Sequence, residues 1–230
     1  MIPLRDCLRP KRTPYVNMAL ILSTTLVFLW EAIYLSSFER MELAHVYGLI
    51  PLRISLALEE PGLLLTAGLT FFSSIFLHSG WLHLIGNMLY LWIFGDNVED
   101  RLGHARYFFF YLAAGALGGA AQVYSDPYLP IPVVGASGAI AGVLGAYLLS
   151  FPQAKIKTLI ILFIIVRIVQ IPAIWFILIW FGLQLVSGLS PQVEGVAQVA
   201  WWAHIGGFIG GIILLWLMRP KSIEGEEIEC

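Results

Sequence analysis

The apolar residues of this chain are gathered into runs long enough to cross a bilayer, which narrows its folds more than any other feature. A crossing helix needs roughly 20 mostly apolar residues. Runs near that length fall at about 16–35, 107–124, 133–151, 172–187 and 199–218, with a shorter one at 81–95. In hydrocarbon every backbone amide must find its partner inside the protein, so each run is expected to be a helix. Of 230 residues 59% are hydrophobic and only 12% charged, against about a quarter charged in soluble domains. The expected fold is an all-α membrane protein, a six-transmembrane-helix bundle forming one domain over residues 1–230 with short tails.

The connections carry their own signals. Residues 37–80 mix charges with Pro51, Pro61 and Gly62, too polar to span, and are expected as short amphipathic pieces at the interface. Residues 153–171 hold Lys155, Lys157 and Arg167 around a β-branched run, Leu159 to Val166, too short to cross and placed at the surface. Basic Arg5, Arg9, Lys11 and Arg12 precede the first run, which is too long for a secretion-signal core and has no small-x-small cleavage site after it. Cys7 and Cys230 lie outside the apolar runs and support neither a disulfide frame nor a thiol nucleophile. The net charge of −2 gives no reason to expect a nucleic-acid partner.

Orientation follows from Lys and Arg, which are enriched in short cytoplasmic connections. With the N-terminus inside, eleven of the thirteen fall in inside segments, leaving Arg40 and Arg53 outside. Both termini are then cytoplasmic, and the second, fourth and sixth helices run inward from the outer face. Each carries a polar cluster in its first two turns: His83 with Asn87, Ser137 between Gly135 and Gly138, and His204 before Gly206 and Gly207. At about 1.5 Å per residue all lie within roughly 10 Å of the outer ends. Polar groups at one depth in a bilayer mark a functional site.

The residue types suit acyl transfer. A serine hydroxyl needs a base, and neutral histidine supplies one near pH 7; Ser137 and His204 are the expected pair. The oxyanion needs donors: the Asn87 amide, the His83 imidazole on the same helix face, and first-turn backbone N–H groups at Ser137, which lack intrahelical partners. Gly135 and Gly138 allow a substrate backbone close to the serine, and Gly207 with Gly211 forms a small-residue face for close helix packing.

Gly135-Ala136-Ser137-Gly138, Ala203-His204-Ile205-Gly206-Gly207 and His78-Ser79-Gly80-Trp81-Leu82-His83-Leu84-Ile85-Gly86-Asn87 resemble, in order, the three hallmark motifs of the rhomboid intramembrane serine proteases. Residues 95–103 resemble that family's turn after its second helix. The resemblance covers roughly residues 70–215. It implies a rhomboid-like six-helix core, a Ser137–His204 dyad without an acid, an oxyanion hole of His83, Asn87 and the Ser137 amide, and His78 nearby. It implies no cofactor and no metal, and transmembrane proteins in the lipid bilayer of a cell membrane as substrates. Two departures stand out. No Trp-Arg pair occurs in residues 37–80, and Ala141 replaces a tyrosine that packs on the histidine in some members, so another group must hold the His204 ring.

Blander readings exist. A lone membrane serine usually bonds back to its own helix, His83 and Asn87 could bridge helices, His204 could belong to a proton relay, and His78 could only brace the first loop. Glu31 is expected solvated or paired with a loop, and Asp96, Glu99, Asp100 and Arg101 are expected as a charged cytoplasmic turn. No His-Glu-x-x-His string occurs, and Asp96 has no acidic partner in another span, so zinc and aspartyl protease chemistries are set aside. The competing functions are a proteolytically dead relative that binds transmembrane clients and a small transporter.

Overall fold

The computed structural model describes residues 1–162, 165–190 and 199–218. In chain order these form β1 (Ile2–Asp6), α1 (Tyr15–Tyr34), α2 (Ser37–Tyr47), α3 (Pro51–Glu59), α4 (Leu64–Ser73), α5 (Trp81–Leu102), α6 (His104–Ser125), α7 (Ser137–Ser150), β2 (Lys155–Leu162), β3 (Ile165–Pro172), α8 (Ala173–Leu189) and α9 (Trp201–Met218). Single 3-10 turns at Pro61–Leu63 and Ser74–Phe76 flank α4. Among the described residues, α1 and α9 are both long and apolar enough to cross a membrane, while α7 and α8 are apolar but shorter.

α7 lies at the centre, buried from Gly138 through Tyr147. α9 can approach it because glycines face each other: a Cβ on Gly207 would stand 2.8 Å from the Gly138 carbonyl carbon, and one on Gly211 would stand 2.6 Å from that of Gly142. Aromatic rings fill the other end of the core, with Phe94 edge-on to Tyr147 and stacked near Phe176.

The region expected as a charged turn is instead a keystone inside α5. Glu99 is 1% exposed, and its carboxylate accepts from the backbone N–H of Val16 at 3.0 Å and of Asn17 at 2.6 Å. α1 has no side-chain cap of its own, so Glu99 satisfies its first-turn amides from another helix, where the dipole favours negative charge. Asp100 accepts from the Lys11 and Arg12 amides. Asn17 donates to the Leu91 carbonyl and accepts from the Tyr107 hydroxyl, joining α1, α5 and α6. Sequence spacing misreads the segment because its partners lie more than 80 residues away.

The all-α expectation also needs correction. β1, β2 and β3 form an antiparallel sheet in that order. Ile156 and Thr158 are fully buried while Lys155 is exposed, the alternation of a strand with one covered face. The β-branched run that is too short to span pairs with itself and with the N-terminus, a contact no local pattern reveals. Asp6 ends β1 and accepts from Tyr147 Oη at 2.6 Å and Asn97 Nδ2 at 3.0 Å. Burial pushes its carboxyl up to about 6, partly offset by the Tyr147 bond. Cys7 Sγ accepts from the Lys155 backbone N–H at 3.1 Å; Cys230 lies outside the described residues.

Between α1 and α5 the chain forms short helices. α2 opens with a capping box, Ser36 and Glu39 bonding reciprocally, and α3 has Pro51 in its first turn. Leu49 and Val133 exchange backbone hydrogen bonds, tying this region to the segment before α7. Glu31 is buried rather than solvated, 4% exposed, and lines a cavity of about 380 Å³ with Arg40 and His78.

Candidate active site

Ser137 is the first residue of α7, not a full turn inside it as its apolar run suggests. The residues before it are drawn off the helix: Gly135 donates its N–H to the Ser74 carbonyl at 2.9 Å and takes φ +124°, a conformation open mainly to glycine. A Cβ there would also lie 2.7 Å from the His83 ring. Gly135 is therefore required twice, by backbone and by neighbour. Ser137 is left at a helix N-terminus, where first-turn amides have no intrahelical acceptor.

α9 brings His204 against it, with Nε2 2.8 Å from Ser137 Oγ. The other ring nitrogen, Nδ1, is 2.8 Å from Gln184 Oε1 on α8. An amide oxygen only accepts, so Nδ1 carries the proton and Nε2 is free to accept from the serine. The ring lies between Trp180, 6.1 Å centroid to centroid, and Trp201, 6.0 Å and edge-on. These groups occupy the role that Ala141 leaves open. Gln184 and Trp180 escaped the sequence reading; the available signal was a lone amide in the apolar α8 run.

On α5, Asn87 is 8% exposed and its Nδ2 donates to His78 Nε2 at 2.9 Å. An amide nitrogen has two hydrogens, so one remains. His78, 4% exposed, stands behind Asn87 and packs 5.0 Å from the His83 ring. His83 Nδ1 pairs with Ser79 Oγ at 3.0 Å.

Ser137, His204, His83, Asn87, Gly135 and Gly138 all line one cavity of about 780 Å³, which extends to Gln184 and to Gln122 on α6. Gly207 and Gly211 lie outside it, against α7. Among the described residues no group of His, Cys, Asp and Glu is arranged to hold a metal ion. The arrangement pairs a hydroxyl with an unprotonated imidazole nitrogen, beside amide and imidazole donors.

A family model described as the Rhomboid domain matches residues 66–221. The chain is 36% identical over 140 residues to "Rhomboid protease GluP" of Bacillus subtilis, covering 60% of this chain and 23% of that protein. It is 32% identical over 171 residues to "Rhomboid-like protein 11, chloroplastic" of Arabidopsis thaliana, covering 69% and 56%. To "Rhomboid protein 1, mitochondrial" of Saccharomyces cerevisiae it is 28% identical over 177 residues, covering 69% and 44%. The chain thus spans between about a quarter and just over half of the length of these relatives. Since the matched region contains α5 through α9 and every residue of the serine–histidine cavity wall on them, the chain belongs to the rhomboid family, whose members are integral to membranes.

Proposed function

We propose that this protein is an intramembrane serine endopeptidase that hydrolyses peptide bonds in or near transmembrane segments of other membrane proteins. The observation that carries the reading is the 2.8 Å Ser137 Oγ to His204 Nε2 contact in the wall of a cavity of about 780 Å³. In this reading α1 and α5 to α9 are six crossings of a single domain over residues 1–230, with both termini on the cytoplasmic side of a cell membrane. The lipid bilayer and transmembrane substrates are its partners.

Ser137 Oγ attacks the carbonyl carbon of the scissile bond as its proton passes to His204 Nε2. The carbonyl oxygen becomes an oxyanion and takes hydrogen bonds from the second N–H of Asn87 Nδ2, the Ser137 amide and His83 Nε2–H, the last in the tautomer whose Nδ1 accepts from Ser79. Donors fixed in a low-dielectric site need no reorganisation as charge develops, which is why each is worth so much. Collapse expels the amine, protonated by His204. Water, deprotonated by the same nitrogen, then releases the acyl group from Ser137. His78 stands behind Asn87 and orients its amide, while Gly135 and Gly138 leave room for the substrate backbone.

The test is cleavage of a single-span substrate by purified protein in detergent, with Ser137→Ala as the control. Cleavage by the wild type that vanishes in the variant is the expected result. Binding without cleavage by the wild type would instead mean a client-binding relative.

A further inference from the structure

We propose that Gln184 is a positioning residue that completes a serine–histidine–glutamine array, holding His204 in the one tautomer able to accept the serine proton. The proposal rests on the hydrolase reading above, and its physical basis is in the bonding of the amide. Gln184 is 7% exposed on a mostly apolar helix, where an unbonded amide would be costly. Its Nε2 reaches the Trp180 carbonyl one turn earlier at 3.4 Å, which orients Oε1 toward His204 Nδ1 at 2.8 Å. An amide that merely satisfied itself would not need the imidazole. Here the good hydrogen bond is the one across to α9, and the weak one is within α8.

A second observation ties this bond to the position of α8. The buried residues of that helix are Ala173, Phe176, Ile177 and Gln184, and beyond Ile177 it meets α9 through Gln184 and through Phe181, stacked 4.3 Å from Phe208. The Gln184 bond is the polar member of that seam, and it sets the proton on His204. Displacing that half of α8 removes the acceptor, and the ring is then free to place its proton on Nε2, where it blocks the serine. Trp180 moves with it, taking away one side of the ring's enclosure.

The experiment is ¹⁵N NMR of histidine-labelled full-length protein in detergent, with steady-state cleavage measured in parallel. The His204 signals are identified by their loss in His204→Asn. The wild type is expected to carry its His204 proton on Nδ1, and Gln184→Leu to give a mixture of tautomers. Cleavage by Gln184→Leu is expected to fall about 10- to 100-fold in kcat, the range seen when partners that orient metal-bound histidines are lost, with the smaller change in KM because leucine keeps most of the bulk that lines the cavity. Gln184→Glu keeps an acceptor oxygen at the same reach and recovers most of the loss. A wild-type His204 protonated on Nε2 would overturn the proposal without any variant, as would Gln184→Glu being as slow as Gln184→Leu. A tautomer lock that Gln184→Leu releases in a protein that cleaves nothing would leave the positioning role standing and sink the hydrolase reading instead.

Discussion

Gly207→Ala tests whether the helix spacing, rather than residue identity alone, makes the hydroxyl–imidazole contact. A Cβ at residue 207 would stand 2.8 Å from the Gly138 carbonyl carbon and nearer still to its oxygen. Carbon atoms pack at about 3.5 to 4.0 Å, so α9 must retreat from α7 by roughly 1 Å. Nothing at the contact can fold away, because the obstacle is backbone. His204 lies less than one turn before residue 207 and Ser137 is adjacent to Gly138, so the 2.8 Å bond lengthens to nearly 4 Å, beyond hydrogen-bonding range. A 1 Å misplacement of reacting groups costs about 100-fold in rate, and overpacking costs roughly 1–3 kcal/mol of stability. The assay is kcat and KM on a single-span substrate beside a thermal-unfolding curve. Gly182→Ala, on α8 with open space where its Cβ would go, is the control and should keep wild-type kcat. Wild-type kcat in a folded Gly207→Ala protein would refute the reasoning.

Other outcomes follow from the same geometry. Asn87→Ala should slow turnover by about 10- to 1000-fold, by comparison with oxyanion-donor deletions, while thermal unfolding stays near wild type; unchanged kcat would remove Asn87 from the oxyanion site. Glu99→Ala strips two hydrogen bonds from the start of α1 and should lower stability by about 3 kcal/mol, roughly 10 °C in the unfolding midpoint, measured by scanning calorimetry. Asp6, whose folded pKa burial raises from 3.8 to about 6, binds its proton more tightly folded than unfolded. Its ionisation therefore removes stability as pH rises through about 4 to 6, by up to about 3 kcal/mol. Asp6→Asn should flatten the unfolding midpoint across that window, and an unchanged pH slope would contradict the assignment.

How far each feature was readable depends on the range of the forces behind it. Ser137, His204, His83 and Asn87 stood out because a polar residue in an apolar run is conspicuous, and helical rise with charge asymmetry predicted that they would lie close together. Gln184 is just as polar, yet nothing in its neighbourhood announces a partner, because His204 is 20 residues away on the next helix. Ala141 pointed to a missing ring support without saying what replaces it. The 95–103 segment looked like a solvated turn because charges usually are. Its carboxylates are instead held by backbone amides of a strand-to-helix segment that precedes it by more than 80 residues. β1 is a sharper case: five residues pair with a hairpin that begins about 150 positions later, and no periodicity records that.

Residue identities alone determined that the chain is a predominantly helical membrane protein, since apolar runs of this length leave the backbone no other way to satisfy its amides. They also singled out the few polar side chains in apolar runs, Ser137, His204, His83 and Asn87, that line one cavity. Only the tertiary structure decided that α7 and α9 meet through glycine backbones closely enough for a hydroxyl to touch an imidazole, that an amide on α8 selects the imidazole's tautomer, and that Glu99 caps a helix far from it in the chain. Those are distances of about 3 Å between segments distant in sequence, set by packing that no single segment encodes.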